Sequence, residues 1–308
     1  MAEIIVASGK GGTGKTSLVG ALVRMAKKTT AVDCDVDAAN LHLLLSHEIV
    51  RSNEFSSSRC AEIVDTDCSG CGLCEELCRF GAIERLYDEE SSRENRFVVD
   101  PLSCEGCGLC FHVCPDRAIT MQPVISGQWF ESVTEFGPFL HGRLGIAQAN
   151  SGKLVTLLRR KAREVAELQK CRTIIIDGPP GIGCPVIASM TGADYLLIVT
   201  EPSKSAVHDM ERLVMLARQF NMKTGICINK CDFNPTISRN IEAFAFTEGI
   251  PILGKLIFDR GFVDAQIAGE SYLDRACAEN TQAISHIWQE IENSIIDTQQ
   301  SPTGKFSV

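Results

Sequence analysis

Residues 3–8 are an apolar run, residues 17–28 repeat apolar positions at helical spacing, and between them lies Gly9-Lys10-Gly11-Gly12-Thr13-Gly14-Lys15-Thr16. A strand that turns through glycines straight into a helix, spelled G-x-x-x-x-G-K-[ST], is a loop whose backbone N–H groups curl around phosphate oxygens. The helix N-terminus adds its partial positive charge at the same place. On this spacing Lys15 reaches the β and γ phosphates and the Thr16 hydroxyl completes a Mg2+ shell. Gly9, Gly11, Gly12, Thr13, Gly14 and Ser17 form the rest of the cradle. A glycine turn without function is the competing reading; spacing, the Lys-Thr pair and both flanking elements oppose it.

The order strand, loop, helix recurs along the chain. Residues 29–35 read as the next strand, ending in acids, and 172–180, 194–202, 222–230 and 250–258 are short runs rich in Ile, Leu and Val. They are separated by stretches able to form helices, among them 153–170 and 205–220. Continuous apolar strands covered on both faces predict an α/β fold with a mostly parallel sheet. The alternation breaks between 59 and 124, so 1–58 and 125–292 read as two parts of one domain around an insert. The last segment, 293–308, reads as a flexible tail.

Eight of the fifteen cysteines cluster between residues 68 and 114 of the insert, in an internal repeat, CSGCGLCEELCRFGAI at 68–83 and CEGCGLCFHVCPDRAI at 104–119. A polar spacer, residues 87–96, reads as a loop or hairpin tip. Cys68, Cys71, Cys74 and Cys78, then Cys104, Cys107, Cys110 and Cys114, each follow C-x2-C-x2-C-x3-C, the spacing of iron–sulfur ligation in bacterial two-cluster ferredoxins. Zinc also accepts four thiolates, but its sites more often divide two close pairs across a longer spacer. Gly70, Gly72, Gly106 and Gly108 permit tight wrapping. Cys34, Cys60, Cys171, Cys227, Cys231 and Cys277 read as structural or incidental.

A net charge of −9 describes an acidic protein without a nucleic-acid footprint. No run of roughly 20 apolar residues is long enough to span a bilayer, the N-terminus carries no secretory leader, and no basic amphipathic tail favours stable membrane association. The expected location is cytoplasmic, where clustered cysteines favour metal or iron–sulfur ligation over disulfides.

The form KGGTGKT resembles the variant phosphate loop of the MinD/ParA/Mrp class of ATPases, relatives of nitrogenase iron protein. The resemblance implies that Lys10 crosses a dimer interface to touch the partner's nucleotide. VDCDVDAANLHL resembles the first switch of that class: Asp35 matches the acid that orients or activates attacking water and adds to the Mg2+ environment, with Asp33 nearer the strand. Helix capping is the alternative for Asp35, and more so for Asp37. IIIDGPPGIG resembles the second switch, where Asp177 holds Mg2+ through water and Gly181 lies near the γ phosphate. HGRLGIAQANSGKLV, at 141–155, resembles the region that follows the insert point. Asn229 resembles the adenine-contacting asparagine, while Asn229-Lys230-Cys231-Asp232 also matches the guanine-reading N-K-x-D; the loop and switch strings favour ATP.

Within the insert, resemblance to a ferredoxin-like 2[4Fe-4S] domain implies crossed ligation. Cys68, Cys71, Cys74 and Cys114 would hold one cluster, and Cys104, Cys107, Cys110 and Cys78 the other. Arg79 stands where a proline usually follows the fourth cysteine. Cys184 lies where nitrogenase iron protein has one bridging cysteine, without a counterpart for the other, and an ordinary buried thiol is the alternative. The implied protein binds and hydrolyses ATP, contains Mg2+ and two [4Fe-4S] clusters, and forms an ATP-dependent homodimer or heterodimer with a related ATPase. The dimer would gate electron transfer to a redox client, or else load a metal cluster into an apo client. Partitioning on membrane or DNA is disfavoured.

Overall fold

A computed structural model of the chain describes residues 1–86, 96–145 and 150–300, with the side chains of 296–300 excepted. Most of the polar spacer, residues 87–95, lies outside the described residues, as do 146–149 of the post-insert string and 301–308 of the tail.

The chain divides into two compact units, Met1–Asn53 with Gln128–Val308, and Glu54–Gly127. The second unit is a few residues wider at each end than the 59–124 insert expected from composition. In chain order the elements are β1 (Ala2–Ser8), α1 (Lys15–Ala26), β2 (Thr29–Asp33), a 3-10 turn (Leu41–Leu43), β3 (His47–Ile63), α2 (Leu73–Glu76), β4 (Ile83–Leu86) and β5 (Arg96–Val99). Then come α3 (Leu109–Val113), β6 (Ile119–Thr134), β7 (Gly137–Leu144), α4 (Ser151–Leu168), β8 (Thr173–Pro180), α5 (Cys184–Met190) and β9 (Tyr195–Thr200). They are followed by α6 (Lys204–Gln219), β10 (Lys223–Ile228), α7 (Pro235–Glu248), β11 (Ile252–Lys255), α8 (Gly261–Ala268), a second 3-10 turn (Tyr272–Asp274) and α9 (Ala278–Gln300). Among the described residues no helix is long and apolar enough to cross a membrane.

In the first unit the strand order β11-β10-β9-β1-β8-β2-β7 is parallel at every step. Both faces of such a sheet must be covered, and its strands are accordingly apolar throughout: Ile4, Ile5, Val6 and Ala7 are all fully buried. One face packs Leu18 and Leu22 of α1 with Ile284, Ile287 and Ile291 of α9. α9 runs to Gln300, past the 292/293 boundary at which a flexible tail was expected, and Ile295 continues the helical spacing of these isoleucines against the core. The apolar run 250–258 forms a shorter strand than expected. Beyond Lys255 the chain leaves the ladder, and the Phe258 N–H donates to the Asp232 carboxylate at 2.7 Å.

Parallel register brings Asp33 of β2 opposite Asp177 of β8, and Asp177 opposite Val6 of β1. Three strand ends thus meet beneath the glycine loop that joins β1 to α1.

The second unit carries the repeat into three dimensions. Gly72 and Gly108 enter α2 and α3 at φ +80° and +74°. The Gly81 N–H donates to the Cys78 carbonyl at 3.1 Å, and the Arg117 N–H to the Cys114 carbonyl at 3.3 Å. These turns place Gly81 and Arg117 at φ +61° and +54°. They match although Arg79 stands where Pro115 does, because the conformation is fixed by the residue at the left-handed position. Ala61, Cys74, Ile83, Phe97 and Ile119 form the core, and five of the remaining repeat cysteines pack against it.

Arg159 of α4 fastens a helix pair to the sheet of the first unit. Its guanidinium donates to the Ala188 and Thr191 carbonyls at 2.8 and 2.7 Å and to the Glu3 carboxylate of β1. Both side chains are buried, and half-exposed Arg163 pairs with the same carboxylate, so removing Arg159 leaves Glu3 one cation and strands the Ala188 and Thr191 carbonyls. Arg159→Ala should therefore lower unfolding stability by about 1–3 kcal/mol, read as a fall in the denaturant midpoint; no measurable fall would mean that the helix pair is held without it.

Candidate functional site

At the carboxyl ends of β1, β2 and β8 a cavity of about 440 Å3 opens over the glycine loop. Residues 11–17 line it together with Ser8, Asp35, Asn40, Pro180 and Asn229. Gly9, Lys10 and Gly181 lie outside this lining. Gly12 and Gly14 take φ +79° and +85°, and a Cβ at Gly14 would strike the Asn229 amide, so glycine is required both by conformation and by space.

The Lys15 ammonium, buried at the start of α1, pairs with the Asp177 carboxylate. Burial alone would lower its pKa, but Asp177, followed by Asp33 and Asp35, holds it above the ordinary lysine value. The second Asp177 oxygen and the Thr13 hydroxyl are buried without a hydrogen-bond partner. Buried polar atoms without a partner, in and beside a glycine loop that leads into a helix N-terminus, suit an anion and its hydrated counter-ion.

Asp33 is fully buried and accepts the N–H groups of Asp35, Asn40 and Leu41 at 3.0, 3.1 and 3.0 Å. It holds the turn of the loop that presents Asp35. Burial, and next the Asp177 charge, push its carboxyl up to about 7 against the pull of Lys15. Asp35 is half-buried at the cavity wall; burial and the neighbouring Asp177 and Asp37 raise its carboxyl, and Lys15 opposes them. Asp37 is exposed. Thr16 lines the same cavity as Asp35, whereas Asp177, the third residue expected at Mg2+, lies outside its lining.

Lys10 turns away from it. Its ammonium pairs with Glu201 at 2.6 Å and donates to the Ser203 hydroxyl at 3.1 Å. Lys230 bridges the other Glu201 oxygen at 2.9 Å to the Gly12 carbonyl at 3.0 Å. Burial would raise the Glu201 carboxyl, but the two lysines hold it below the ordinary carboxylate range. Asn229 donates from Nδ2 to the Thr13 carbonyl at 2.8 Å and accepts the Lys230 N–H at 2.9 Å. Its amide thus braces the phosphate loop. Asp232 lies outside the cavity lining, with one carboxylate oxygen engaged by the Phe258 amide. The far wall, formed by Phe258, Asp259, Phe262, Val263 and Gln266, is absent from the motif reading, as are Glu201 and Ser203. The signal for that wall was its position just past β11, where other site segments also follow strands.

In the second unit the eight repeat cysteines separate into two sets of four. Cys78, Cys104, Cys107 and Cys110 line a cavity of about 240 Å3. Cys68, Cys71, Cys74 and Cys114 line one of about 10 Å3. Each set takes three thiols from one repeat and the fourth from the other. Cys71 and Cys107 are exposed. Among the described residues no three His, Cys, Asp or Glu side chains converge on the position of a single ion. Cys184, exposed at the start of α5, belongs to neither set.

Residues 4–272 match the family of CobQ/CobB/MinD/ParA nucleotide binding domains. The uncharacterized Methanocaldococcus jannaschii protein MJ0578 is 35% identical over 235 residues, covering 75% of this chain and 79% of that protein. A second protein of that organism, the uncharacterized MJ0579, is 25% identical over 277 residues, 89% of this chain and 92% of its own length. The cell division ATPase MinD of Pyrococcus furiosus has a similar fold, with TM-score 0.54 at 18% identity, covering 95% of this chain and 99% of its own. MinD of Pyrococcus horikoshii, solved in complex with Mg-ADP, gives TM-score 0.54 at 18% identity over 97% of this chain and 99% of its own. With the glycine loop, the buried Lys15 and the acids at the strand ends in place, the chain belongs to the CobQ/CobB/MinD/ParA nucleotide-binding family and is a P-loop ATPase of the MinD/ParA kind.

Proposed function

We propose that this ATPase is an iron–sulfur protein in which ATP-dependent dimerisation gates electron transfer to a partner. The observation that carries the reading is the sorting of eight thiols into two sets of four, each drawn from both repeats. That is the crossed arrangement in which three cysteines and a distant fourth hold one cube. Each thiolate of such a site binds a different iron, so the sulfurs surround a volume instead of meeting at one ion. The set around Cys107 encloses room for a cluster as it stands; the loop Cys68–Cys74 must open to admit one. When bound, a [4Fe-4S] cluster supplies one-electron chemistry at a potential set by its hydrogen bonds and exposure. Exposed Cys71 and Cys107 mark where a redox partner approaches. The same exposure supports the second reading, delivery of a cluster to an apo client.

The nucleotide end works by exchange of partners for buried charges. An arriving phosphate would draw the Lys15 ammonium from Asp177, leaving a carboxylate that would hold Mg2+ through water. Thr16 and Asp35 are the residues that would hold that ion, and Asp35 is the group placed to position attacking water. Lys10 must leave Glu201 and Ser203 before it can reach a second subunit. Dimerisation therefore competes with an ion pair inside the chain, and ATP tips the balance by offering Lys10 phosphate charge across the interface. The dimer can be formed by two copies or by one copy with a related ATPase.

Lys10→Ala should abolish the ATP-induced dimer and reduce turnover at least tenfold, an effect of about 1.4 kcal/mol or more, while nucleotide affinity changes little. Sedimentation and phosphate release check this; an unchanged dimer fraction with unchanged turnover removes the role. Lys15→Ala should instead weaken ATP binding by about 10- to 150-fold, the worth of one charge-assisted hydrogen bond. Asn229→Ala should weaken tripolyphosphate as well as ATP, because the amide braces the loop. Loss of ATP affinity alone, seen by calorimetry, would assign Asn229 to the base.

Anaerobically isolated chain should contain about eight iron atoms and about eight acid-labile sulfides, two cubes' worth. Cys78→Ser should perturb the EPR signal of the cluster held by the Cys104 triplet and spare the other. Stoichiometric zinc without inorganic sulfide would overturn the cluster reading and leave the ATPase standing.

A further inference from the structure

The two cysteine sets are built unequally, and the difference lies on the strands behind them. The repeats are offset by 36 residues, Cys68 to Cys104 and Cys78 to Cys114. The same offset carries Ala61 to Phe97 and Cys60 to Arg96. Phe97, 1% exposed, fills the space behind the Cys68 triplet, where about 10 Å3 is left. Ala61 at the equivalent place leaves about 240 Å3 behind the Cys104 triplet.

Cys60 brings a fifth thiol beside the roomier set, outside the cavity lining itself. The thiol donates to the Ala61 carbonyl at 3.4 Å and lies within hydrogen-bonding reach of Cys104 and electrostatic reach of Cys110. The contact follows from the backbone: a Cβ at Gly106 would run into the Arg59 carbonyl oxygen, so this part of β3 lies directly against the Cys104–Cys110 loop. The counterpart of Cys60 behaves otherwise, because Arg96 pairs with Asp65 at 2.8 Å. The Cys68 triplet therefore has no matching thiol at the equivalent position.

We propose that Cys60 is an alternative ligand to Cys104 in the Cys78, Cys104, Cys107 and Cys110 site, an inference that rests on the cluster reading above. Two sulfurs in contact can exchange one coordination position with little movement. As the Cys60 sulfur bonds to iron, the iron–Cys104 bond breaks and the Cys60 proton passes to the Cys104 sulfur. No electron is lost or gained. The exchange makes this site tolerant of losing Cys104, whereas its counterpart does not tolerate losing Cys68.

The test is a matched set of whole-chain variants isolated anaerobically, with iron and acid-labile sulfide counted and cluster EPR recorded. Wild type, Cys60→Ala and Cys104→Ala should each retain about eight iron atoms, while Cys68→Ala and the Cys60→Ala/Cys104→Ala double variant fall to about four, one cube lost. Cys104→Ser, nearly isosteric, covers the case in which the alanine variant does not fold. In iron-loaded Cys104→Ser, Cys60 should resist alkylation by iodoacetamide, and in loaded wild type it should be labelled. Loss of half the iron in Cys104→Ala, or equal labelling of Cys60 in wild type and Cys104→Ser, overturns the proposal. Wild type without inorganic sulfide sinks the cluster reading itself, an outcome distinct from either.

Discussion

A buried ammonium held between carboxylates at the ends of parallel strands organises the first unit. Lys15 sits at the head of α1, Asp177 ends the apolar part of β8, and Asp33 ends β2. Two carboxylates and one ammonium away from water cannot all be charged without strain, and the pressure falls on Asp33, whose carboxyl rises to about 7. Three backbone N–H groups still fix it, so the loop to Leu41 stays folded whether or not the acid is ionised. Because Lys15 already holds an anion in Asp177, a phosphate entering here would substitute one anion for another at a formed site.

The same economy of charge explains Lys10. A lysine beside a phosphate loop adds repulsion in the absence of ligand unless it has somewhere else to go. Glu201 provides that place, shared with Lys230, whose ammonium also reaches the Gly12 carbonyl. Two cations on one carboxylate are readily parted, since each leaves the other still paired.

The phosphate loop was legible in the sequence because a chemical demand and a backbone demand fall on the same eight letters. The sheet was legible too, since parallel strands buried on both faces must be uninterrupted runs of apolar residues. What escaped was set by contacts between distant segments. Glu201 and Ser203 meet Lys10 from the end of the neighbouring strand β9, and nothing near Lys10 in sequence announces them. Asn229 stood out by its motif, but a motif does not say which way an amide faces; here Thr13 and Lys230 claim both ends of it. In the repeat, ligand spacing was plain, while the unequal backing of Ala61 and Phe97 emerges only when the strands are superposed on the thiol sets they support.

The segment after Asp33 is also tied to the root of β3, the strand that leads out of the first unit. His42, in the turn Leu41–Leu43, stacks on His141 of β7 at 5.9 Å between ring centres, and His47 at the start of β3 meets the same ring edge-on at 5.4 Å. Phe139 and Phe130 stack on His141 at 4.7 and 4.9 Å. Burial first, then His47, His42 and Arg143, hold the His141 ring down to about 4, so it is neutral near pH 7 and packs as an aromatic. The loop that carries Asp35 and the first residue of β3 therefore rest on one ring.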